Sequence, residues 1–187
     1  MKLNSRAKFF NGKGVVNMAK IVIKNEILEM MLYIWDSVHQ KEKIADSFFL
    51  EIADNPNMKY LYDGEEFTTE SVRKVLSAIS NRELLNKPTK KESRFWSKNM
   101  WMLEDLGFTN MMVEPVKQLN LTDLEDKLPK DEYEVVFIPG HMDEYYIDGN
   151  KLIINFFSIV IDFFGDGPAT IADKPIKEYI EEKLLSM

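Results

Sequence analysis

From Asn25 onward the apolar residues recur every three or four positions. Ile27, Leu28, Met31, Leu32, Ile34, Trp35 and Val38 form a stripe that predicts an amphipathic helix to about Gln40. The same period in Ile44, Ala45, Phe48, Phe49, Ile52 and Ala53 predicts a second helix. It stops at Asp54-Asn55-Pro56, because the residue before a proline is pushed out of the helical region. Asp63-Gly64 reads as a turn, after which Thr68 or Thr69 caps a helix from about Glu70 with Val72, Val75, Leu76 and Ile79 inward. Thr89 and Glu92 have the spacing of a capping box and open a helix from Lys90 to Leu106, which Gly107 is expected to end. Beyond it Val113-Glu114-Pro115-Val116 reads as extended, and Thr122 to Glu125 repeats the capping spacing before a short helix stopped at Pro129.

The last third changes character. Tyr133–Ile138 is aromatic and β-branched and predicts a strand broken by Pro139-Gly140; Glu144–Ile147 predicts a second, ended by Asp148-Gly149. Lys151–Phe164 pulls two ways, since its Ile, Val and Phe favour strands while its polar residues Lys151, Asn155, Ser158 and Asp162 recur at four, three and four. At helical pitch those four fall within about a 60° arc, and strand alternation fails because Asn155 and Ser158 have opposite parity. The segment is therefore read as a largely buried helix ended by Gly165, with a strand as the competing reading. Asp173, with Pro175 just inside, is expected to cap a last helix carrying Ile176, Tyr179, Ile180 and Leu184.

Together these elements predict an α+β, mainly α fold: a helical array over 20–130, then a small sheet or hairpin and two C-terminal helices over 131–187, in one compact domain. Residues 1–19 are expected to be a flexible tail or a mis-assigned start, with Met18 as the other candidate first residue. The composition, 45% hydrophobic and 29% charged, supplies enough apolar surface for a packed interior. With no cysteine, disulfides, thiolate metal sites and cysteine nucleophiles are excluded, and a reducing, cytoplasmic compartment is expected. The longest apolar run, Leu152 to Phe164, is interrupted by polar residues and falls short of the ~20 needed to cross a bilayer, so no membrane partner is expected.

Charge is the most specific signal. Residues 73–98 carry eight Lys/Arg against two acids, net +6, while the other residues, 16 basic against 29 acidic, stand at −13. Arg73 and Lys74 occupy the polar face of one helix; on the next, Lys90, Arg94 and Lys98 share a face with Trp101, which lies away from the apolar arc of Phe95, Trp96, Asn99, Met102 and Leu103. An aromatic ring among cations either meets a ligand or partner or lies under another segment, with Arg94 stacked on its indole. The leading reading is a non-enzymatic binding or regulatory module that meets an acidic protein or other anionic partner through Arg73, Lys74, Lys90, Arg94, Lys98 and Trp101. Nucleic acid is a weaker reading, because the Arg82–Thr89 connection is too long for a helix-turn-helix and the acidic remainder repels a polyanion.

The enzyme alternative rests on Pro139–Glu144, where His141, Asp143 and Glu144 place an imidazole and two carboxylates beside a strand end, suited to a metal-dependent or acid–base hydrolase, with Asp162 or Asp166 completing the set. No His-Glu-x-x-His, nucleophile elbow, dinucleotide fingerprint or phosphate loop is present, and no cofactor is expected. His39, at the end of the first helix, is expected to meet terminal carbonyls there.

Overall fold

The computed structural model describes residues 19–129 and 131–187; the expected tail or false start lies, Ala19 apart, outside them. The architecture is α+β and mainly helical. A first strand, β1 (Lys20–Lys24), leads into the helices α1 (Glu26–His39), α2 (Asp46–Ala53), α3 (Thr69–Ser80), α4 (Lys90–Glu104) and α5 (Leu106–Lys117). The chain then returns to the sheet as β2 (Glu132–Ile138), β3 (Tyr145–Asp148) and β4 (Lys151–Asn155), and closes with the short pair β5 (Thr170–Ile171) and β6 (Lys174–Pro175) and the helix α6 (Ile176–Leu185). β1 was not foreseen in the helical reading of 20–130: Lys-Ile-Val-Ile-Lys is too short to declare itself until β2 arrives to pair with it.

The sheet order is β1-β2-β4-β3, with β1, β2 and β4 parallel and β3 antiparallel to β4 at the edge. Chain order and spatial order differ because residues 139–144 cross the end of β4; β3 runs back along its outer side and a two-residue turn enters β4. That turn places Gly149 at φ +64°, where a side chain is disfavoured.

β2 and β4, the central strands, are buried on both faces, with Val135, Val136, Phe137 and Ile138 beside Leu152, Ile153 and Ile154. This corrects the helix expected over Lys151–Phe164. Alternation is the signature of a strand with one wet face, and a doubly covered parallel strand has no polar face to alternate. The strand ends at Asn155, Phe156–Ser158 forms one 3-10 turn, and the rest is loop, so α6 is the one C-terminal α-helix among the described residues, not two.

Three further readings are corrected. Val113–Val116 is helical, since Pro115 sits in the last turn of α5, where a missing N–H disturbs little beyond the carbonyl of the exposed Met111. Asp105, not Gly107, divides α4 from α5: its extended backbone breaks the first helix and its Oδ1 accepts Phe108 N–H (2.9 Å) to start the second. Asp173 does not cap α6, because Ala172 (φ 48°) and Asp173 (φ 61°) form the tight turn between β5 and β6, and Pro175 precedes the helix instead. The buried apolar residues form one core, in which Trp35 of α1 stacks on Phe156 and the helices cover the sheet.

Candidate functional site

α4 carries the outward face that the charge pattern singled out, and its start is firmly built. Thr89 Oγ1 accepts Glu92 N–H (3.1 Å) while Glu92 Oε2 accepts Thr89 N–H (3.0 Å), the reciprocal capping box read from the sequence. Glu92 is buried and also receives Lys74 Nζ at 2.7 Å. Burial pushes its carboxyl up, but the Lys74 ammonium, Thr89 N–H and Ser71 hydroxyl together outweigh that and hold it below the usual range. On the inner face Phe95, Met102 and Leu103 enter the core, and the buried Asn99 is satisfied on both sides: Trp35 Nε1–H donates to its Oδ1 (3.1 Å) and its Nδ2 donates to Phe95 O (2.8 Å).

The eight cations of residues 73–98 do not form one open zone. Arg73 meets Asp46 (3.0 Å) and Glu70 (3.2 Å), Lys74 meets Glu92, Arg82 meets Glu104 (3.1 Å), and Lys91 is held by Asp63. The physical reason is local: the polar face of α3 lies against α2 and the start of α4, and those elements bring carboxylates. Arg73 and Lys74, both expected on the binding face, are thus answered within the fold. Lys87 and Lys90 make no ion pair among the described residues. Arg94 donates to His141 O (3.0 Å) and stands 3.5 Å from the open carboxylate of Asp143; Lys98 lies over the Phe157 ring, 5.4 Å from its centroid.

What remains is a stripe on α4, Lys90, Arg94, Lys98 and Trp101, one turn apart along the helix. Trp101 is 66% exposed and is the start of an aromatic file. Its indole meets Phe108 edge-on (centroids 5.7 Å), Phe108 meets Phe163 (6.1 Å), and Phe163 meets Phe164 (5.3 Å), which is 98% exposed. A groove of about 260 Å³ between α4 and the Phe156–Ser158 turn is lined by Lys98, Trp101, Phe108 and Phe157.

The loop that presents the last two rings is held by one carboxylate. Asp162 Oδ1 accepts Phe164 N–H (3.3 Å) and its Oδ2 accepts Gly167 N–H (3.4 Å). The carboxylate packs so closely on Gly165 that a Cβ there would collide with it. The sequence reading named Trp101 but missed Phe108, Phe163 and Phe164. The available signal was the Phe-Phe pair between Asp162 and Gly165, which has no periodic apolar partner once the helix over 151–164 is abandoned.

His141, Asp143 and Glu144 are not brought together. The His141 ring is buried edge-on to Phe67 (4.4 Å), and its Nε2–H donates to Leu61 O (2.8 Å). Burial pushes its imidazole below the ordinary value, so it is a neutral group of the interior. Asp143 points into solvent beside Arg94, while Glu144 accepts from Tyr179 O–H (3.4 Å). Among the described residues no group of three or more His, Asp or Glu side chains is placed to hold a metal ion. His39 does find a carbonyl, but it is Leu103 O at the end of α4 (2.8 Å), so the ring ties two helices instead of capping its own.

Among the described residues no helix is long and apolar enough to cross a membrane. Compared with family models, curated proteins and solved structures, the chain matches none. Its own residues therefore carry the functional argument.

Proposed function

We propose that the chain is a non-enzymatic binding or regulatory protein that takes an acidic, partly apolar segment of a partner protein along the outer face of α4. The carrying observation is the continuity of Lys90, Arg94, Lys98 and Trp101 with the exposed rings of Phe163 and Phe164. Large aromatics left in water on a helix face that also carries exposed cations are what interface anchors look like before a partner covers them. The Asp162 turn fixes the loop in advance, which lowers the ordering cost on binding. With a net charge of −7 the molecule as a whole does not attract an acidic partner, so recognition falls to this local stripe and its salt dependence is modest.

The test is selection of displayed random dodecapeptides on the whole chain, followed by affinity measurement of the enriched peptides. They should be acidic with at least one aromatic or aliphatic residue. Trp101→Ala and the Arg94→Ala/Lys98→Ala pair should each weaken them about tenfold or more while the fold is kept and the melting temperature falls only slightly, since these side chains are outside the core and Arg94 gives up one hydrogen bond to His141 O. Enrichment without an acidic bias, or affinity indifferent to these changes, would overturn the reading. So would tight binding of single-stranded DNA that collapses steeply with salt.

A further inference from the structure

Among the described residues Lys98 is the lysine that lies over an aromatic ring without also meeting a carboxylate; Lys59 and Lys183, also over rings, pair with Asp148 and Glu182. The ammonium groups of Lys74, Lys91, Lys127, Lys151, Lys174 and Lys177 are each held by a carboxylate, and Lys90 is open to water. Lys98 has no carboxylate within 4.0 Å among the described residues; its Nζ sits over the Phe157 ring, and Arg94 stands one turn before it on the same helix. The two cations share a cavity of about 470 Å³, within the ~300–1,000 Å³ typical of small-ligand sites, together with Asp143, Glu144, Phe157 and Ser158.

We propose that Lys98 is an amine nucleophile for small carbonyl compounds that carry a carboxylate, an aldehyde acid or keto acid, with Arg94 holding the carboxylate and Lys98 condensing with the carbonyl. The Lys98 amine, having released its ammonium proton, attacks the carbonyl carbon, and the π pair moves to the oxygen, which takes up a proton. The resulting carbinolamine loses its hydroxyl as water and closes to the imine, so amine plus carbonyl gives imine plus water with no change of oxidation state. Asp143 and Glu144 line the same cavity and are the carboxylates that would relay those protons.

The environment favours this chemistry. An ammonium in a partly dry pocket beside a second cation surrenders its proton more readily, the usual way a lysine is activated for imine formation. Burial and then the Arg94 charge push the Lys98 ammonium below its ordinary value; Asp143 opposes them without reversing the direction. The charged groups facing Lys98 are Arg94 from α4, Asp143 and Glu144 from the 139–144 crossover, and Asp173 from the β5–β6 turn. The inferred ligand is reversibly covalent, a natural input for a regulatory protein, and the inference stands whether or not the α4 face binds a peptide.

The experiment is reductive trapping on the whole chain near pH 7.5 with glyoxylate and cyanoborohydride, read lysine by lysine by peptide mass spectrometry, with acetaldehyde as the probe lacking a carboxylate. Lys98 should label several-fold faster than Lys90 on the same helix, because the cavity and the neighbouring Arg94 charge favour its free amine and Arg94 seats the glyoxylate carboxylate beside it. In urea the two rates should converge. Arg94→Gln should erase the preference of Lys98 for glyoxylate over acetaldehyde. Labelling of Lys98 no faster than Lys90 in the folded chain, or a glyoxylate preference that survives Arg94→Gln, overturns the proposal.

Discussion

Buried at the end of β4, Asn155 holds the crossover in place with one amide. Its Oδ1 accepts Gly140 N–H and Phe157 N–H (3.2 Å each), and its Nδ2 donates to Met142 O (2.7 Å). Alanine leaves those buried backbone groups without partners, and Asn155→Ala should cost about 3 kcal/mol in urea unfolding. Asn155→Asp should cost at least as much, because a carboxylate cannot donate to Met142 O. In the sequence Asn155 looked like part of a polar stripe, since a residue type does not reveal whether its partner is water or a distant backbone. Asn99 was the opposite case: helical phase placed it on the inner arc, and only the fold supplied Trp35 as the partner that makes burial tolerable. Trp101 was legible because its phase alone excluded it from the core.

The starts of α3 and α4 were the most legible elements, because a cap is a bond between residues a few positions apart. Thr68 accepts Ser71 N–H (3.3 Å) and Thr89 completes its box with Glu92, as read from spacing. Thr89 Oγ1 also donates to Glu66 O (2.7 Å), so Thr89→Ala removes a cap and a tertiary bond together. It should lower stability by about 1–2 kcal/mol by thermal or urea denaturation, with Thr89→Ser recovering most of that. The misread strands share a cause, a non-local neighbour, while the misread helix ends turned on local backbone position. β1 needs β2 for its hydrogen bonds, β4 needs cover on both faces to dispense with alternation, and Pro115 is tolerated because it falls in the final turn of α5.

Acid stability is a property of the whole molecule. Burial holds His141 below its ordinary 6.5, and hydrogen bonds and cations hold Asp63, Asp123, Asp148 and Glu182 below theirs, as they do Glu92 against its burial. For each, the unfolded chain takes up protons first on acidification, so the stabilisation present above the unfolded value is lost as pH falls through the folded one. Stability should therefore decline in two stages, a small step below about pH 6.5 and a steeper fall below about 4.5, seen as melting temperature against pH. His141→Gln should abolish the first step and leave the second, which salt should soften because most of those carboxylates are exposed. At this scale the sequence by itself determined the mainly helical α+β class, the capped starts of α3 and α4, the strand of Tyr133–Ile138, the break at Asp148-Gly149 and the outward place of Trp101, all consequences of short-range periodicity and turn chemistry. Only the tertiary structure decided which cations are answered, which rings line up and what His141 does. Those outcomes depend on which carboxylate or backbone carbonyl a fold brings within about 3 Å across tens of residues of chain, and local pattern carries no record of that distance.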